Sequence, residues 1–464
     1  MNIDVVIVIA YFAMMILCGI IAMRRLTGTK DYLLADRNLP FWVFFPCLSA
    51  VILGGGSTFG SASQSYQFGM SGAWITFMFG LGIVTVGLLF AGKIAKLEVY
   101  TLSEMLQRRY AHGTGCVSAV IASVYAVLIA AVQIIALGTI IKELLGWSLT
   151  TGIMMGGMVT VIYTLIGGMV AITITDMIQF VLMIIGVLLL MLFGVNAAGG
   201  IGSITTAVPP EFLTLTNISG ERMLGLFLSM FLGIMIGQDI WQRILTARNQ
   251  EVAKVGAVAA GLFSVGWGAA MGVCGILAFI LLPNLNSAQD ALPALVIKVM
   301  PVGLSGIVLA ALMSALMSTV SATVLASATL VTNDILKPVF KLRDESTFNV
   351  SRIVTGLSGI LVILLSVYIG DVFVALDTAY SYLSGCLFVP IMAALFWPKA
   401  IWQGAIASII VSAAVVTASL VAYGSAAPEP VMFGISSGAI TLVFVSLMLG
   451  SSKDQLDGSG NPRL

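Results

Sequence analysis

Three consecutive glycines lie inside an otherwise apolar run, AVILGGGSTFG. They are Gly54, Gly55 and Gly56, and the hydroxyl residues Ser57 and Thr58 follow them directly. Each glycine weakens a helix by roughly 1 kcal/mol relative to alanine, so the run predicts a break in a helix. A break frees backbone carbonyl oxygens, which together with hydroxyls can coordinate a small cation. The alternative is close packing, in which the glycines let a neighbouring helix approach.

A second oxygen-rich pattern lies far along the chain, in ALMSALMSTVSATVLASATLVTNDI, residues 311–335. Ala315, Ser318 and Thr319 are spaced i, i+3 and i+4 and therefore share one helical face. Hydroxyls and backbone oxygens at that spacing suit a small hard cation, which prefers oxygen ligands. Serine and threonine are also common where membrane helices pack, so a packing role is the alternative.

A carboxylate, Asp377, lies several residues inside an apolar stretch, in VALDTAYSYLSG. It could pair with an amine-bearing solute. It could instead be a solvated residue in an outer vestibule, or a helix cap. Asp239 is the weaker candidate of the two carboxylates, because it lies towards the predicted cytoplasmic end of its segment.

Composition identifies the environment of these residues. Hydrophobic residues make up 59% of the 464 and charged residues 9%, whereas a soluble chain carries roughly a quarter charged residues. The chain is therefore predicted to be a membrane protein. A net charge of +1 does not favour a nucleic-acid partner. The single histidine, His112, excludes a multi-histidine metal centre and is expected in a solvated loop. No nucleophile and base motif indicates an enzyme, and no cofactor is predicted.

Apolar stretches of about 20 residues, long enough to cross a hydrocarbon core of about 30 Å, recur along the chain. About thirteen are predicted, near residues 3–23, 41–63, 72–92, 115–141, 147–168, 171–197, 223–242, 255–282, 300–331, 350–369, 372–396, 400–423 and 430–450. With the N-terminus outside, the cytoplasmic segments hold all but Lys142, Arg222 and Lys298 of the 21 lysines and arginines. The positive-inside rule thus predicts an odd number of helices and a cytoplasmic C-terminus.

Several segments, in order, resemble the sodium/solute symporter family. The most specific is GGMVAITITDMIQF, residues 167–180, which is similar to the family signature of two glycines, Ala-Val, an aromatic or aliphatic residue, Thr-Asp and a following glutamine. Further similar segments are DYLLADRNLP (31–40), TLSEMLQRRY (101–110), QDIWQRILTARNQEVAK (238–254) and AALMSALMSTVSA (310–322). The resemblance implies an all-α polytopic membrane protein with the five-plus-five inverted repeat of the leucine-transporter type.

The implied repeat divides the chain into four parts. These are an extra N-terminal helix and cytoplasmic loop (1–40), the first repeat (41–197), the second repeat (223–396), and two accessory helices with a short cytoplasmic tail (397–464). The leading helix of the second repeat carries Gly233 and Gly237, which match the glycine run of the first. Paired interruptions of this kind are the sequence pointer to a transporter's binding site.

The resemblance implies one main sodium site. Its ligands would be backbone oxygens of Val51, Gly54 and Ala315 together with the hydroxyls of Ser318 and Thr319. The register at the glycine run is open by one residue. Sodium is the coupling ion and the only metal implied.

A possible second sodium site follows from the same resemblance. It would use Asp176, Ser318 and Ser321, but Ala322 stands where the family pattern has another serine, so one oxygen is lost. Asp176 could instead be structural, orienting Thr175 or a neighbouring helix. An ionisable residue within a span costs about 2.5 to 3.5 kcal/mol on insertion scales, so we expect it to have one of these roles.

The solute is expected beside the broken helices. The predicted solute-binding residues are Gly55, Gly56, Ser57, Thr58, Gln133, Tyr380 and Asp377. Asp239 is not among them, because its Gln-Asp context matches the family generally. Sialic-acid members of the family hold a carboxylate with an arginine in the fourth span. Here that region reads YAVLIAAVQIIALG and has no cation, so recognition of a carboxylate by a basic side chain is not expected.

The implied function is a sodium-coupled symporter that imports a small organic solute by alternating access. The alternative is a proton-coupled or sodium-independent carrier on the same fold. The expected partners are the solute, sodium and membrane lipid, with no nucleic acid and no obligate protein partner. The compact loops favour a bacterial inner membrane as the location.

Overall fold

The computed structural model describes residues 3–24, 28–111 and 113–449. Within these ranges the regular structure is helical, apart from one isolated bridge between Leu39 and Ala247. The α-helices are α1 (Ile3–Met23), α2 (Thr29–Leu34), α3 (Phe41–Ile52), α4 (Ser61–Phe68), α5 (Trp74–Leu89), α6 (Ala91–Ile94), α7 (Leu102–Tyr110), α8 (Thr114–Leu145), α9 (Leu149–Ala197), α10 (Ile201–Ala207), α11 (Gly220–Leu226), α12 (Leu232–Ile234), α13 (Gln238–Ile244), α14 (Gln250–Leu281), α15 (Ala291–Val299), α16 (Leu304–Leu330), α17 (Lys337–Phe340), α18 (Asp344–Ile369), α19 (Val372–Phe396), α20 (Trp402–Tyr423) and α21 (Glu429–Leu449). The predictions for His112 and for the tail, 451–464, concern residues outside the described part.

Polar residues cap several helices where they begin. The side chains of Thr101, Ser148, Ser219 and Asn249 each accept a hydrogen bond from the backbone N–H three residues on. Asp371 caps α19 in the same way. The first amides of a helix have no partner within it, so such caps stabilise a helix by about 1 kcal/mol each.

Among the described residues, eleven helical segments are long and apolar enough to cross a membrane. Two of them, Gly56–Leu89 and Leu149–Ala197, each extend over parts of two predicted spans. In the second of these the chain bends at Gly168, whose φ of +51° is readily adopted by glycine. Tyr32 packs against the backbone there, where any side chain would collide. The total of thirteen crossings therefore stays a prediction.

Both leading helices are interrupted, as predicted. α3 ends at Ile52, and the helix resumes as the π-helical turn Gly56–Gly60 followed by α4. α12 ends at Ile234, and α13 begins at Gln238. Backbone groups at such breaks lack their usual helical partners, so the surrounding protein or a ligand must satisfy them.

Helix α16 is the centre of the bundle. α16 lies in the span Leu304–Phe340, where 94% of an apolar stretch of 18 residues is buried. The corresponding buried fraction of the last span, Glu429–Leu449, is 28%. α16 packs against α1, α3, α8, α9 and α18. The outer helices α18, α20 and α21 instead expose large apolar side chains such as Leu364, Val421 and Ile440. These are the surfaces expected to face lipid.

Polar contacts near the helix ends distinguish the two ends of the bundle. Next to the start of α8, Arg109 donates a hydrogen bond to the carbonyl of Pro398 at 2.9 Å. Next to the end of α8, Lys142 pairs with Asp290 at 3.5 Å. The alternation of the predicted spans places Arg109 and Pro398 on one side of the membrane and Lys142 and Asp290 on the other. The two contacts agree with that placement. Which end faces the cytoplasm stays a prediction.

A buried ion pair joins α9 to α13. Arg243 Nη2 lies 2.6 Å from Asp176 Oδ2, and the two side chains are 1% and 0% exposed. Arg243 Nη1 also contacts the sulfur of Met169 at 3.2 Å. The predicted orientation counted Arg243 among the loop cations, whereas the structure buries it inside the bundle. Withdrawing two charges from water costs several kcal/mol per ion, which the mutual attraction of the pair offsets.

We expect Asp176→Asn to destabilise the protein by roughly 3–5 kcal/mol, because it leaves the Arg243 guanidinium buried without an opposite charge. The measurement is the melting temperature of the full-length protein in detergent, together with the yield of monodisperse protein.

Two further variants serve as controls for Asp176→Asn. Lys142→Met removes a partly exposed cation that pairs with both Glu143 and Asp290, and it should change stability by less than about 1 kcal/mol. Asp176→Leu combined with Arg243→Met removes both buried charges and should be more stable than Asp176→Asn alone. If Asp176→Asn had the same melting temperature as the wild type, the ion pair would not stabilise the fold.

Candidate functional site

Carbonyl oxygens freed at the end of α3 meet hydroxyl groups of α16. Ser318 Oγ donates to the carbonyl of Ala50 at 2.7 Å, and Thr319 Oγ1 donates to the carbonyl of Val51 at 2.9 Å. Both hydroxyls also lie 3.3 Å from the carbonyl oxygen of Ala315. Three carbonyl and two hydroxyl oxygens therefore converge in a buried group that we call the oxygen cluster.

The next three carbonyls of the break are satisfied within the segment itself. Ser57 Oγ donates to the carbonyl of Ile52, and Thr58 Oγ1 donates to that of Leu53 at 2.7 Å. The Gly54 carbonyl accepts from the Thr58 amide at 2.8 Å. It also accepts from the Ser57 hydroxyl at 3.2 Å. The hydroxyls that follow the glycine run thus hold the broken helix in shape.

The oxygen cluster contains four of the five predicted sodium ligands. The Gly54 carbonyl is directed into its own segment, and Ala50 stands in its place. The cause is the position of the break: α3 remains helical to Ile52, so its last turn supplies the free carbonyls. Gly54 still matters for packing, because a Cβ there would lie 2.7 Å from Gln133 Oε1 and collide with the Thr319 hydroxyl. The assignment of these oxygens to sodium stays a prediction.

A cavity of about 20 Å³ lies beside the oxygen cluster. It has room for little more than a water molecule, so it must widen to admit a solute. Its lining residues are Val51, Ile52, Gly54, Gly56, Ser57, Phe79, Ile129, Gln133, Ile234, Asp239, Thr319, Leu376 and Tyr380. Four predicted solute-binding residues are among them: Gly56, Ser57, Gln133 and Tyr380. We call this space the central cavity.

Two other predicted solute-binding residues lie next to the central cavity without lining it. The Gly55 N–H donates to Gln133 Oε1, which ties the glycine run to α8. The Thr58 hydroxyl accepts a hydrogen bond from Trp267 Nε1 at 3.1 Å. Their polar groups are therefore engaged with protein.

The carboxylate on the central cavity is Asp239, which the sequence placed second to Asp377. It is 4% exposed and is the second residue of α13, directly after the break at Gly237. The Tyr125 hydroxyl donates to Asp239 Oδ1 at 3.3 Å. The Tyr125 ring also packs against Tyr380, with centroids 5.5 Å apart. Its position next to a glycine break was the signal that could have identified Asp239.

Asp377 lines a different cavity, of about 600 Å³. Arg222 lines the same space and donates to Gln64 Oε1. On α19, Leu376 faces the central cavity, and Asp377 follows it with a rotation of about 100° that directs it elsewhere. The helix-cap interpretation of Asp377 is wrong, because Asp371 caps α19.

The residues of the possible second sodium site are already engaged. Asp176 Oδ2 pairs with Arg243. The Ser321 hydroxyl donates to the carbonyl of Ser318 at 2.9 Å, and the Ser318 hydroxyl donates to the carbonyl of Ala50. Asp176 Oδ1 accepts no hydrogen bond among the described residues. A guanidinium thus lies beside Asp176 where the resemblance implied a sodium ion, which favours the structural role.

The chemistry available at the break is cation coordination. Carbonyl and hydroxyl oxygens suit hard cations, and unwound carbonyls hold Na⁺ in transporters with broken helices. In the described ranges, His, Cys, Asp and Glu form no group of three or more that could hold a metal ion. The arrangement can therefore hold a small cation beside a solute without a covalent step.

Comparison with known proteins gives relatives that match along most of the chain. Residues 32–412 match the profile of the family described as the Sodium:solute symporter family. The sodium/glucose cotransporter of Vibrio parahaemolyticus is 25% identical, with 88% of this chain and 83% of that protein covered. The osmoregulated proline transporter OpuE of Bacillus subtilis is 24% identical, with 90% and 88% covered. The sodium/pantothenate symporter of Haemophilus influenzae is 24% identical, with 82% of each covered.

Solved structures share the fold. A Na⁺-coupled sialic acid symporter in a substrate-bound, outward-open state superposes with a TM-score of 0.83 at 20% identity, covering 97% of this chain and 98% of that one. Mhp1, a nucleobase-cation-symport-1 family transporter, superposes with a TM-score of 0.60 at 15% identity, covering 92% and 96%. The predicted leucine-transporter-type fold is confirmed. With its profile matched over residues 32–412, the chain belongs to the sodium:solute symporter family.

Proposed function

We propose that this symporter imports a small organic solute together with one sodium ion, by alternating access around the central cavity. The oxygen cluster is the observation that carries the proposal, because buried oxygens of α3 and α16 converge there. The names of the relatives given above specify glucose, proline and pantothenate as their solutes, and all three are small organic molecules.

Sodium binding would rearrange hydrogen bonds that are already in place. The hydroxyls of Ser318 and Thr319 now donate to the carbonyls of Ala50 and Val51. A sodium ion would take up the lone pairs of these oxygens, and the hydroxyl hydrogens would turn away. Because the ion needs oxygens from both helices, it favours the arrangement in which α3 and α16 are held together.

The driving force is sufficient for strong accumulation. One sodium ion moving down a 100 mV potential and a tenfold concentration gradient releases roughly 2.3 plus 1.4 kcal/mol. This corresponds to about 500-fold accumulation of a neutral solute. We propose one sodium ion rather than two because Arg243 already supplies a positive charge to Asp176.

The two repeats, 41–197 and 223–396, are proposed to move relative to each other, with the broken helices at the centre. Import follows from the predicted orientation. The proposed location is a bacterial inner membrane, supported by the compact loops and the bacterial relatives. The exposed apolar faces of the outer helices would contact its lipid, and the proposal involves no nucleic acid or protein partner.

A proton-coupled carrier is the second candidate, and Asp239 favours it. A buried carboxylate on the central cavity could take up and release a proton during transport. Solute uptake driven by a pH gradient in the absence of sodium would support this candidate against the first.

Thr319→Val should raise the half-saturating sodium concentration at least about tenfold, a loss of about 1.4 kcal/mol. Valine keeps the branched shape of threonine and removes one oxygen of the cluster. The measurement is sodium-induced thermal stabilisation of the purified protein, in mixtures of sodium and potassium chloride at constant ionic strength.

Thr323→Val is the matched control for that variant. Thr323 lies on the same helix, and its hydroxyl donates to the carbonyls of Thr319 and Val320 within that helix. We expect it to change the sodium requirement less than threefold. If Thr319→Val kept the wild-type sodium response, the oxygen cluster would be helix packing and the sodium assignment would be wrong.

Gly54→Ala should abolish sodium stabilisation while leaving a folded protein. A Cβ at this position would meet the Thr319 hydroxyl and Gln133 Oε1 and would push α3 away from α16. Gly60→Ala is the control on the same segment, because the nearest atom to its Cβ would be 3.6 Å away, an ordinary contact. Equal sodium responses of the two variants would contradict the proposed site.

A further inference from the structure

We infer that Asp239 selects solutes that carry a positively charged nitrogen, by pairing with that charge in the central cavity. The inference deepens the proposed function and rests on it, because it assigns a solute class to the same cavity. It moves the specificity-determining carboxylate from Asp377 to Asp239.

The first step is the burial of Asp239 without an opposite charge. Its side chain is nearly inaccessible, and the neutral hydroxyl of Tyr125 donates to it at 3.3 Å. The first backbone amides of α13 and the charge of Arg243 also stabilise the carboxylate, but neither forms an ion pair with it. The ion pairs among the described residues do not include Asp239, and the arginine one turn further along α13, Arg243, is engaged by Asp176. A buried carboxylate is unfavourable unless it is paired. A cationic solute would provide the direct ion-pair partner that the described residues do not supply.

The second step is the composition of the cavity wall. Its lining contains one carboxylate and no lysine, arginine or histidine. An anionic solute would meet a like charge there with no basic side chain to offset the repulsion. The wall therefore selects against free carboxylates and favours cations.

The third step is the aromatic surface beside the carboxylate. Phe79 and Tyr380 both line the cavity, with ring centroids 5.4 Å apart. Tyr125 packs against Tyr380 from the other side. Aromatic faces attract organic cations, by about 0.5–2 kcal/mol for each favourable contact. Rings and a carboxylate together fit an ammonium group better than a neutral polyol.

Asp377 provides the contrast within the same chain. It lines the larger cavity together with Arg222, so that space holds both signs of charge. A cationic solute gains less from a carboxylate that already has a guanidinium in the same cavity. The two carboxylates are thus predicted to differ in their effect on cation binding.

The experiment compares charged solutes with neutral solutes of the same shape. Full-length protein in detergent, at fixed sodium chloride, is titrated with choline and its carbon analogue 3,3-dimethylbutan-1-ol, and with glucosamine and glucose. Binding is followed by thermal stabilisation. We expect at least one charged member to bind tenfold or more tightly than its neutral counterpart.

Three variants then assign the preference to a residue. Asp239→Asn should reduce the affinity for the charged member at least tenfold and remove its advantage, and Asp239→Glu should keep the preference. Asp377→Asn should change the affinity less than twofold. Stabilisation by sodium alone is measured for each variant and shows that it is folded and retains the oxygen cluster.

Several outcomes would overturn the inference. It is wrong if no charged solute stabilises the wild type, if a neutral counterpart binds equally well, or if Asp239→Asn keeps the preference. Failure of the proposed function would appear differently, as a wild-type protein that sodium does not stabilise more than potassium.

Discussion

The structure depends on satisfying backbone carbonyls that a broken helix exposes in the interior of a membrane protein. At the end of α3, five consecutive carbonyls from Ala50 to Gly54 accept side-chain hydroxyls, two from α16 and the rest from the segment that follows. In lipid each unsatisfied group would cost several kcal/mol. This requirement explains why α16 is the most buried span and why it approaches α3 so closely.

The second broken helix is held by a buried ion pair in addition to hydrogen bonds with hydroxyl groups. Arg243 on α13 pairs with Asp176 on α9, and Gln242 on the same short helix donates to the carbonyl of Leu33 at 2.8 Å. Each broken helix therefore has a deep polar attachment to a long, well-packed helix, α3 to α16 and α13 to α9. A neutral cluster can exchange its internal hydrogen bonds for contacts with an ion. A buried ion pair, in contrast, is costly to open. The α3 attachment is thus the one suited to a reversible ligand.

The resemblance to a known family predicted the fold. The two breaks and the face of α16 that carries Ser318 and Thr319 were predictable because helical periodicity and glycine position are local properties. The sequence could not provide the partner of Asp176, which lies 67 positions along the chain. It also could not show that the Gly54 carbonyl is engaged within its own segment, since the last helical residue of α3 decides which carbonyl oxygens face α16. The choice between Asp239 and Asp377 depended on helix rotation, where one residue changes the direction by about 100°.

The glycine run also indicates how sodium and solute could communicate. A sodium ion in the oxygen cluster and the inferred cationic solute in the neighbouring central cavity would repel each other, so favourable coupling would not come from their direct interaction. The break contacts α16 through the Val51 carbonyl and contacts α8 through the bond from the Gly55 amide to Gln133. A change in the hydrogen bonds on the α16 side therefore shifts the peptide groups that form the wall of the central cavity. With the proposed sodium site and a cationic solute, coupling through this short segment would be conformational, and Asp239 would reduce the electrostatic repulsion that opposes it.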